Sequence, residues 1–392
     1  MNRVIKRWAG LACIALIYFA CKKPFFPSIN GTDNNRFLVI EGFISGNDST
    51  FIKLSRTKKV DTLKTVFPEA GAQVTVESDD NATFPLTEIR TGTYAAPALP
   101  IDVSHKYRLR VKTADNKEYL SDLVTVKNAP PIDSVGFKPL PAGVQVYVNA
   151  HDDAGATKYY RWEYDETWQF HSFYNSTVSK TGERRASEQI YHCYGNDHSG
   201  NVVIASTVKL GHDILYQAPI TIVPANSEKI ETKYSILVKQ YALTPDAYTF
   251  WETLQRNTEH LGSIFDVLPS EVGSNFHCVS NPNELVIGYL SVGNASYKRI
   301  FISADQLLAS YSPTYPCPCK LDTAFNNPSN GHETATTQDY SSHYNDNTYT
   351  PVKELYLHPP TPFGKPDAIS YSITLCVDCT VRGTTAPPPF WK

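Results

Sequence analysis

Short runs of residues in which apolar and polar side chains strictly alternate are the strongest constraint on the fold. In residues 106–113, Tyr107, Leu109 and Val111 alternate with charged side chains, which is typical of a strand with one buried face. Seven such runs fall within about 90 residues and are separated by turn residues. They are residues 37–45, 50–57, 72–78, 84–89, 93–96, 106–113 and 118–126. We therefore expect an antiparallel immunoglobulin-like or transthyretin-like β-sandwich over residues 36–128.

A second, larger β-rich domain is predicted over residues 132–392, after a proline-containing linker at residues 128–131. Further strand-like runs occupy residues 143–150, 158–170, 201–210, 214–223, 233–243, 284–292 and 299–303. Thr244 and Pro245 are an N-cap and a first-turn proline, so we expect one amphipathic helix over about 245–261. Residues 311–351 are rich in Pro, Asn, Ser and Thr, which predicts a long irregular insertion. The fold class is thus mainly β, and a helical bundle is excluded.

The N-terminus is typical of an export signal. Three basic residues precede an uncharged, mostly apolar stretch at residues 9–20, which is too short to span a bilayer as a helix. Ala20-Cys21 at its end resembles a bacterial lipobox. We predict a lipoprotein signal peptide over residues 1–20 and an acylated Cys21 that inserts into outer-membrane lipid, with residues 21–35 as anchor and tether. The alternatives are a buried hydrophobic strand and an ordinary signal peptide with an incidental cysteine.

Charge argues against nucleic acid as a partner. The chain has 36 Lys and Arg against 39 Asp and Glu, a formal charge of −3. Because the predicted signal holds three basic residues and no acid, the mature chain would carry −6. A mildly acidic protein creates no attractive field for a polyanion.

Six cysteines follow the predicted anchor: Cys193, Cys278, Cys317, Cys319, Cys376 and Cys379. Two closely spaced pairs, in the segments CPC and CVDC, could together supply four thiolates for tetrahedral zinc. In an exported chain an even number of cysteines more often forms disulfides. We therefore predict disulfides, no metal and no cofactor. Free or redox-active thiols stay open, and the 15 possible pairings cannot be separated from the sequence.

Residues 159–174 hold eight aromatic side chains in 16 residues. Alternation favours burial of Tyr160, Trp162 and Tyr164 in a core between two sheets. An alternative interpretation is a surface for a glycan or peptide ligand, formed by Trp168, Phe170 and Tyr174.

No catalytic residue is predicted. The sequence contains no nucleophile elbow, phosphate-binding loop or dinucleotide fingerprint. Two acidic pairs, Asp152-Asp153 and Asp165-Glu166, are interpreted as solvated turns. Hydrolases of β fold can place two carboxylates far apart in sequence, so this class stays open as the least favoured one.

Several segments together resemble one family. They include LVIEG at 38–42, AQVTV at 72–76, YSILVKQY at 234–241, GSIFD at 262–266 and the ending CVDC, RGT and PFW within 376–391. In these motifs the mature chain resembles the DUF4249 lipoproteins of Bacteroidota. The resemblance implies a β-rich cell-envelope lipoprotein, often encoded beside a TonB-dependent receptor, with no assigned catalytic residue.

We therefore expect a non-enzymatic, lipid-anchored outer-membrane protein that is an accessory or ligand-binding partner of a TonB-dependent transporter. The alternatives are a stand-alone glycan- or peptide-binding module and a hydrolase. Whether the protein faces the periplasm or the cell surface is left open.

Overall fold

Strands dominate the chain, as the alternation predicts. A computed structural model describes residues 37–57, 67–179, 182–259, 273–315, 317–325, 348–356 and 367–391. The described residues from Phe37 onwards belong to one compact unit. The signal peptide, Cys21 and the tether lie outside the described residues, so their predictions stay predictions. The prediction of a mainly β fold is confirmed.

The strands of the described residues are numbered β1 to β25 in chain order. Their bounds are Leu38–Ser45, Thr50–Arg56, Phe67–Pro68, Gln73–Ser78, Thr83–Arg90, Thr93–Ala96, Lys106–Lys112, Glu118–Ser121, Val124–Thr125, Ile132–Leu140, Gly143–His151, Tyr159–His171, Val178–Ser179, Gly182–Glu183, His192–His198, Val203–Ser206, Ile214–Pro224, Lys233–Ala242, Phe276–Cys278, Val286–Gly288, Ser291–Gly293, Ser296–Ser303, Asp322–Phe325, Tyr349–Leu355 and Ala368–Ile373. Two α-helices, α1 and α2, span Pro245–Glu259 and Thr374–Val377.

The first sandwich is one long sheet that folds over a core. Its strand order is β19-β8-β7-β4-β5-β6-β2-β1-β20, with β3, β9 and β21 beside β2, β7 and β1. Strand β5 pairs with β4 through its first half and with β6 through its second half, so it passes from one layer to the other. The inward side chains of the alternating runs form the core, which includes Tyr94, Leu109 and Tyr119.

Three strands of this sandwich come from far along the chain. Residues 284–292 were predicted as a strand of the C-terminal domain, but β20 and β21 pair in parallel with β1. Strand β19 pairs with β8. A Cβ at Gly293 would lie 1.8 Å from the carbonyl oxygen of Lys127, and one at Gly288 2.1 Å from that of Ile40. We call residues 284–293 the returning segment, and only glycine at 288 and 293 lets it approach so closely.

The second sandwich packs a three-stranded sheet, β10-β11-β17, against a sheet of order β15-β12-β18-β22 with β16 beside β12. Strand β12 is its longest member. The inward side of β12 includes Tyr160, Trp162 and Phe170, each at most 1% exposed. These aromatic side chains lie in one core with apolar residues of the opposite sheet, so the core interpretation of the aromatic run is the one that the structure shows.

A small sheet, β23-β25-β24, follows. The region predicted as an irregular insertion over 311–351 therefore contains β23 and the beginning of β24, because both pair with β25. Residues 326–347 lie outside the described ranges.

Helix α1 confirms the predicted helix as far as Glu259, beyond which the prediction falls on residues that are not described. Thr244 accepts a hydrogen bond from the Ala247 amide through its Oγ1 at 3.2 Å, which is the contact of an N-cap. The single turn α2 was not predicted, since four residues are too few to show a helical period.

Candidate functional site

A recess opens at one edge of the second sandwich, between β15 and β17. Its cavity measures about 210 Å³, below the usual range for pockets that take drug-sized ligands. Its walls come from β12, β15, β17 and the short 3₁₀ turn Glu228–Ile230. The lining residues are Tyr164, Glu166, Asp197, His198, Gly200, Thr221, Ile222, Val223, Pro224, Ser227 and Lys229.

Glu166 is the more buried of the two acidic residues that line this recess. The sequence predicts a solvated turn for the pair Asp165-Glu166, and that prediction is wrong because both residues lie within β12. Glu166 occupies an inward position of the alternation, between Tyr164 and Trp168, and its side chain is only 7% exposed. A carboxylate in such a place needs charged or hydrogen-bonding partners.

Two partners meet this need. The Tyr234 hydroxyl donates a hydrogen bond to Glu166 Oε1 at 2.6 Å, and Lys229 Nζ lies 2.5 Å from Glu166 Oε2. Lys229 Nζ also lies 3.0 Å from Asp197 Oδ2 and 5.0 Å from the centre of the Trp168 ring. One ammonium group therefore joins a buried carboxylate, a half-exposed carboxylate and an aromatic face.

The network shifts its titratable groups in opposite directions. The hydrogen bond from Lys229 lowers the pKa of Asp197. Burial acts to lower the pKa of Lys229, but the hydrogen bond and charge of Glu166 outweigh it, so the pKa of Lys229 is raised. Burial raises the pKa of Tyr234 well above its usual value. At neutral pH, Lys229 and Asp197 are thus charged and Tyr234 keeps its proton.

Only part of this site could be recognised from the sequence. An acidic residue in the inward phase of an alternating strand is a detectable anomaly, and Glu166 could have been selected on that ground. Lys229 and Tyr234 carried no comparable signal, because they lie 63 and 68 residues away from Glu166.

The predicted ligand-contacting aromatic residues are mostly buried. Trp168 is 8% exposed, and its indole fills the space that a side chain at Gly195 would take. Phe170 is fully buried beneath the guanidinium of Arg382. Tyr174 is half-buried, and its hydroxyl donates a hydrogen bond to the Cys319 carbonyl at 3.3 Å. Because Trp168 and Phe170 present no free ring face, the structure does not bring these three residues together as a platform.

Four of the six predicted disulfide cysteines are bridged. Cys193 pairs with Cys379, and Cys319 pairs with Cys376. The four-thiolate zinc arrangement is therefore not formed, because Cys379 is bonded to Cys193 rather than grouped with the other three. Among the described cysteines, Cys278 and Cys317 are unbridged, which corrects the prediction for these two. Cys278 is buried in the core of the first sandwich.

An exposed apolar row follows β17, an edge strand of its sheet within the described residues. Its inward side chains join the core, while Ile214, Tyr216 and Ile222 are 55%, 77% and 49% exposed. We call these three residues the β17 row. Exposed apolar side chains along an edge strand are typical of surfaces that contact other proteins.

No helix within the described ranges is long and apolar enough to cross a membrane.

The family model for a domain of unknown function, DUF4249, matches residues 22–299. The chain belongs to the DUF4249 family. None of the curated proteins matches it. Among solved structures, a two-domain fibronectin type-III segment from chicken tenascin is similar to this chain at 12% sequence identity. The match covers 52% of this chain and 90% of the tenascin segment. Its TM-score is 0.16.

Proposed function

We propose that this DUF4249 protein is a non-enzymatic lipoprotein of the cell envelope that docks on an outer-membrane partner, a TonB-dependent transporter. The observation that carries the proposal is the β17 row. Tyr216 is 77% exposed on an edge strand, and Ile214, two residues before it, is 55% exposed. An edge strand with free backbone groups and apolar side chains is prone to unspecific pairing, and a permanent partner would remove that liability.

The tether supports a partner in the same membrane. If Cys21 is acylated, about 15 residues separate the lipid from β1. Fully extended, that chain reaches roughly 50 Å, so the sandwiches would stay close to any integral protein of that leaflet. Confinement of this kind raises the effective concentration of a partner and lets a modest apolar surface suffice for binding.

The recess supports binding rather than catalysis. The pKa of Asp197 is lowered, whereas a general acid requires a raised pKa. Lys229 Nζ contacts both Glu166 and Asp197, so neither carboxylate is left without a partner to act on a substrate.

The docking proposal is tested by co-purification from detergent-solubilised outer membrane. A tagged wild-type chain should recover a β-barrel protein in a fixed ratio. A variant with Ile214→Ser and Tyr216→Ser should lose most of that protein while keeping its circular dichroism spectrum. The control is Leu123→Ser, which changes a 44% exposed apolar residue of the first sandwich and should leave recovery unchanged. Equal recovery by all three chains would refute the role of the β17 row.

The anchor is tested by cell fractionation. Cys21→Ser should move the protein from the membrane fraction to the soluble fraction, because no acyl chain can then be attached. Cys13→Ser is the matched control, since it changes a cysteine of the predicted signal itself. A Cys21→Ser chain that stays in the membrane fraction would contradict the lipoprotein assignment.

A hydrolase is the second candidate, and one distance favours it. Because Glu166 and Asp197 contact the same nitrogen at 2.5 and 3.0 Å, those two carboxylate oxygens lie within 5.5 Å of each other. Retaining glycosidases space their carboxyl groups about 5–5.5 Å apart, a separation that this upper limit permits. Hydrolysis of aryl glycosides by the wild type and its loss in both Glu166→Gln and Asp197→Asn would support this candidate.

A further inference from the structure

Three sulfur atoms meet where the small sheet joins the second sandwich. Cys319 and Cys376 form a disulfide, and Cys317 Sγ lies 3.2 Å from Cys376 Sγ. All three Sγ atoms lie within 4.8 Å of one another. We call these three residues the cysteine cluster. It places a free thiol in contact with a disulfide sulfur, and thiol–disulfide exchange begins from such a contact.

The alternative bridge is close in chain length to the existing one. Cys319 and Cys376 are 57 positions apart, and Cys317 and Cys376 are 59 positions apart. The entropy of closing a loop depends on the logarithm of its length, so the two pairings constrain the unfolded chain equally. Loop closure therefore gives no preference for either partner of Cys376.

Hydrogen bonds hold the segment that carries Cys319 beside the segment that carries Cys376, independently of the disulfide. Ser372 Oγ donates a hydrogen bond to the Lys320 carbonyl at 2.6 Å, and β23 pairs with β25 from Asp322 onwards. The Tyr174 amide donates to the Cys376 carbonyl at 3.0 Å. Cys317 and Cys319 are both partly exposed, whereas Cys376 is 1% exposed. Both possible partners of Cys376 thus lie in one short, partly exposed segment, Cys317-Pro318-Cys319.

We propose that the cysteine cluster is a thiol–disulfide exchange site with two interchangeable bridges that share Cys376. The thiolate of Cys317 attacks Cys376 Sγ, and the Cys317–Cys376 bond forms while the Cys319–Cys376 bond breaks. The electron pair of the broken bond stays on Cys319, which leaves as a thiolate and takes up the proton that Cys317 lost. The step consumes no oxidant or reductant, and it moves the free thiol from one side of Pro318 to the other.

The exchange is tested by trapping the free thiol in the full oxidised chain. Folded protein is incubated with N-ethylmaleimide for increasing times, quenched with acid, digested with trypsin and sequenced by mass spectrometry. Fragmentation before Pro318 in the mass spectrometer distinguishes a label on Cys317 from a label on Cys319 in the tryptic peptide that ends at Lys320. We expect one label per cluster, distributed between Cys317 and Cys319. Label on Cys317 alone at every time would overturn the proposal.

Two variants give an independent readout. Cys319→Ser should form the Cys317–Cys376 bridge, so that its cluster takes no label, and Cys317→Ser should keep the existing bridge and also take none. Cys278 is the internal control, since its buried thiol should react only after unfolding. Label on both Cys317 and Cys376 in Cys319→Ser would contradict the proposal. Should Cys319→Ser fail to fold, the label distribution of the wild type still decides.

Discussion

The two sandwiches each hold a nearly buried glutamate with similar partners but a different balance of charge. In the first, Glu284 accepts hydrogen bonds from the Tyr119 hydroxyl at 2.6 Å and from Lys117 at 2.7 Å. In the second, Glu166 has a tyrosine at 2.6 Å and a lysine at 2.5 Å. Their side chains are 10% and 7% exposed. In each sandwich a tyrosine and a lysine thus satisfy the hydrogen bonding of a nearly buried glutamate.

The two networks differ in the further charged residues that surround each glutamate. Glu284 has a second cation nearby, Arg56, which also pairs with Glu69 at 2.7 Å, so acids and bases are equal in number. Within the described ranges Lys229 is the one cation paired with Glu166, and Glu166 shares it with a second acid, Asp197. The first network holds the returning segment in place and is complete. The second has one acid in excess and faces a recess, which makes it the network to perturb in a search for ligands.

The largest effect is expected from Lys229→Met. Without its ammonium group Glu166 would be a buried, unpaired carboxylate, which costs roughly 3–5 kcal/mol. Urea unfolding followed by circular dichroism measures the loss. The double variant with Glu166→Gln should recover most of the stability. Lys239→Met, which removes the partner of the less buried Asp165, is the control and should cost under about 1 kcal/mol. A loss for Lys229→Met no larger than for Lys239→Met would show that Glu166 needs no cation.

Gly293→Ala should damage the first sandwich and leave the second intact. The added methyl would collide with the Lys127 carbonyl, and crowding of this kind costs roughly 1–3 kcal/mol. Hydrogen–deuterium exchange should increase in peptides covering β1 and β21 but not in those covering β12. Gly200→Ala serves as the control, because no atom lies within 4 Å of the added methyl there. Equal behaviour of the two variants would mean that the returning segment adapts freely.

Glu284→Gln should cost less than Lys229→Met, roughly 1–2 kcal/mol. Arg56 keeps Glu69, and Lys117 is 41% exposed, so neither cation is left buried without a partner. The same urea experiment ranks the two variants. The reverse order would contradict the view that the first network is the balanced one.

The smallest effect concerns Asp197 and pH. Its folded-state pKa is lowered by Lys229, so its contribution to stability is present above the unfolded value of about 3.9. It is lost as pH falls through the folded value. Since Asp197 is 57% exposed, we expect Asp197→Asn to cost only a few tenths of a kcal/mol at pH 6. That difference should shrink as pH falls below about 3.9 and vanish below the folded value, and a difference that grows towards acid pH would contradict the assignment.

Local structure could be predicted because its causes are local. The alternation of apolar and polar residues located strands such as β1, β7 and β12 to within one or two residues. Thr244 and Pro245 located the start of α1. In each case the chain carries the period or the cap within the element itself.

Partnership between distant elements could not be predicted. Nothing within residues 284–292 shows that β20 and β21 join β1, because a strand has the same period in any sheet. The need for glycine at positions 288 and 293 can be recognised only once the neighbouring carbonyl groups are known. The disulfide pairing and the contact of Lys229 with Glu166 depend on the same long-range arrangement.

The returning segment has a consequence for the order in which the chain folds. Strand β1 begins at Leu38, yet its parallel partners β20 and β21 are synthesised some 250 residues later. Contacts so distant in sequence form slowly, and in a growing chain they cannot form at all until the late strands have emerged. Most strands of the first sandwich are thus synthesised first, but this sandwich is among the last parts of the chain to complete its folding. Until then the edge of β1 that pairs with β20 and β21 stays open.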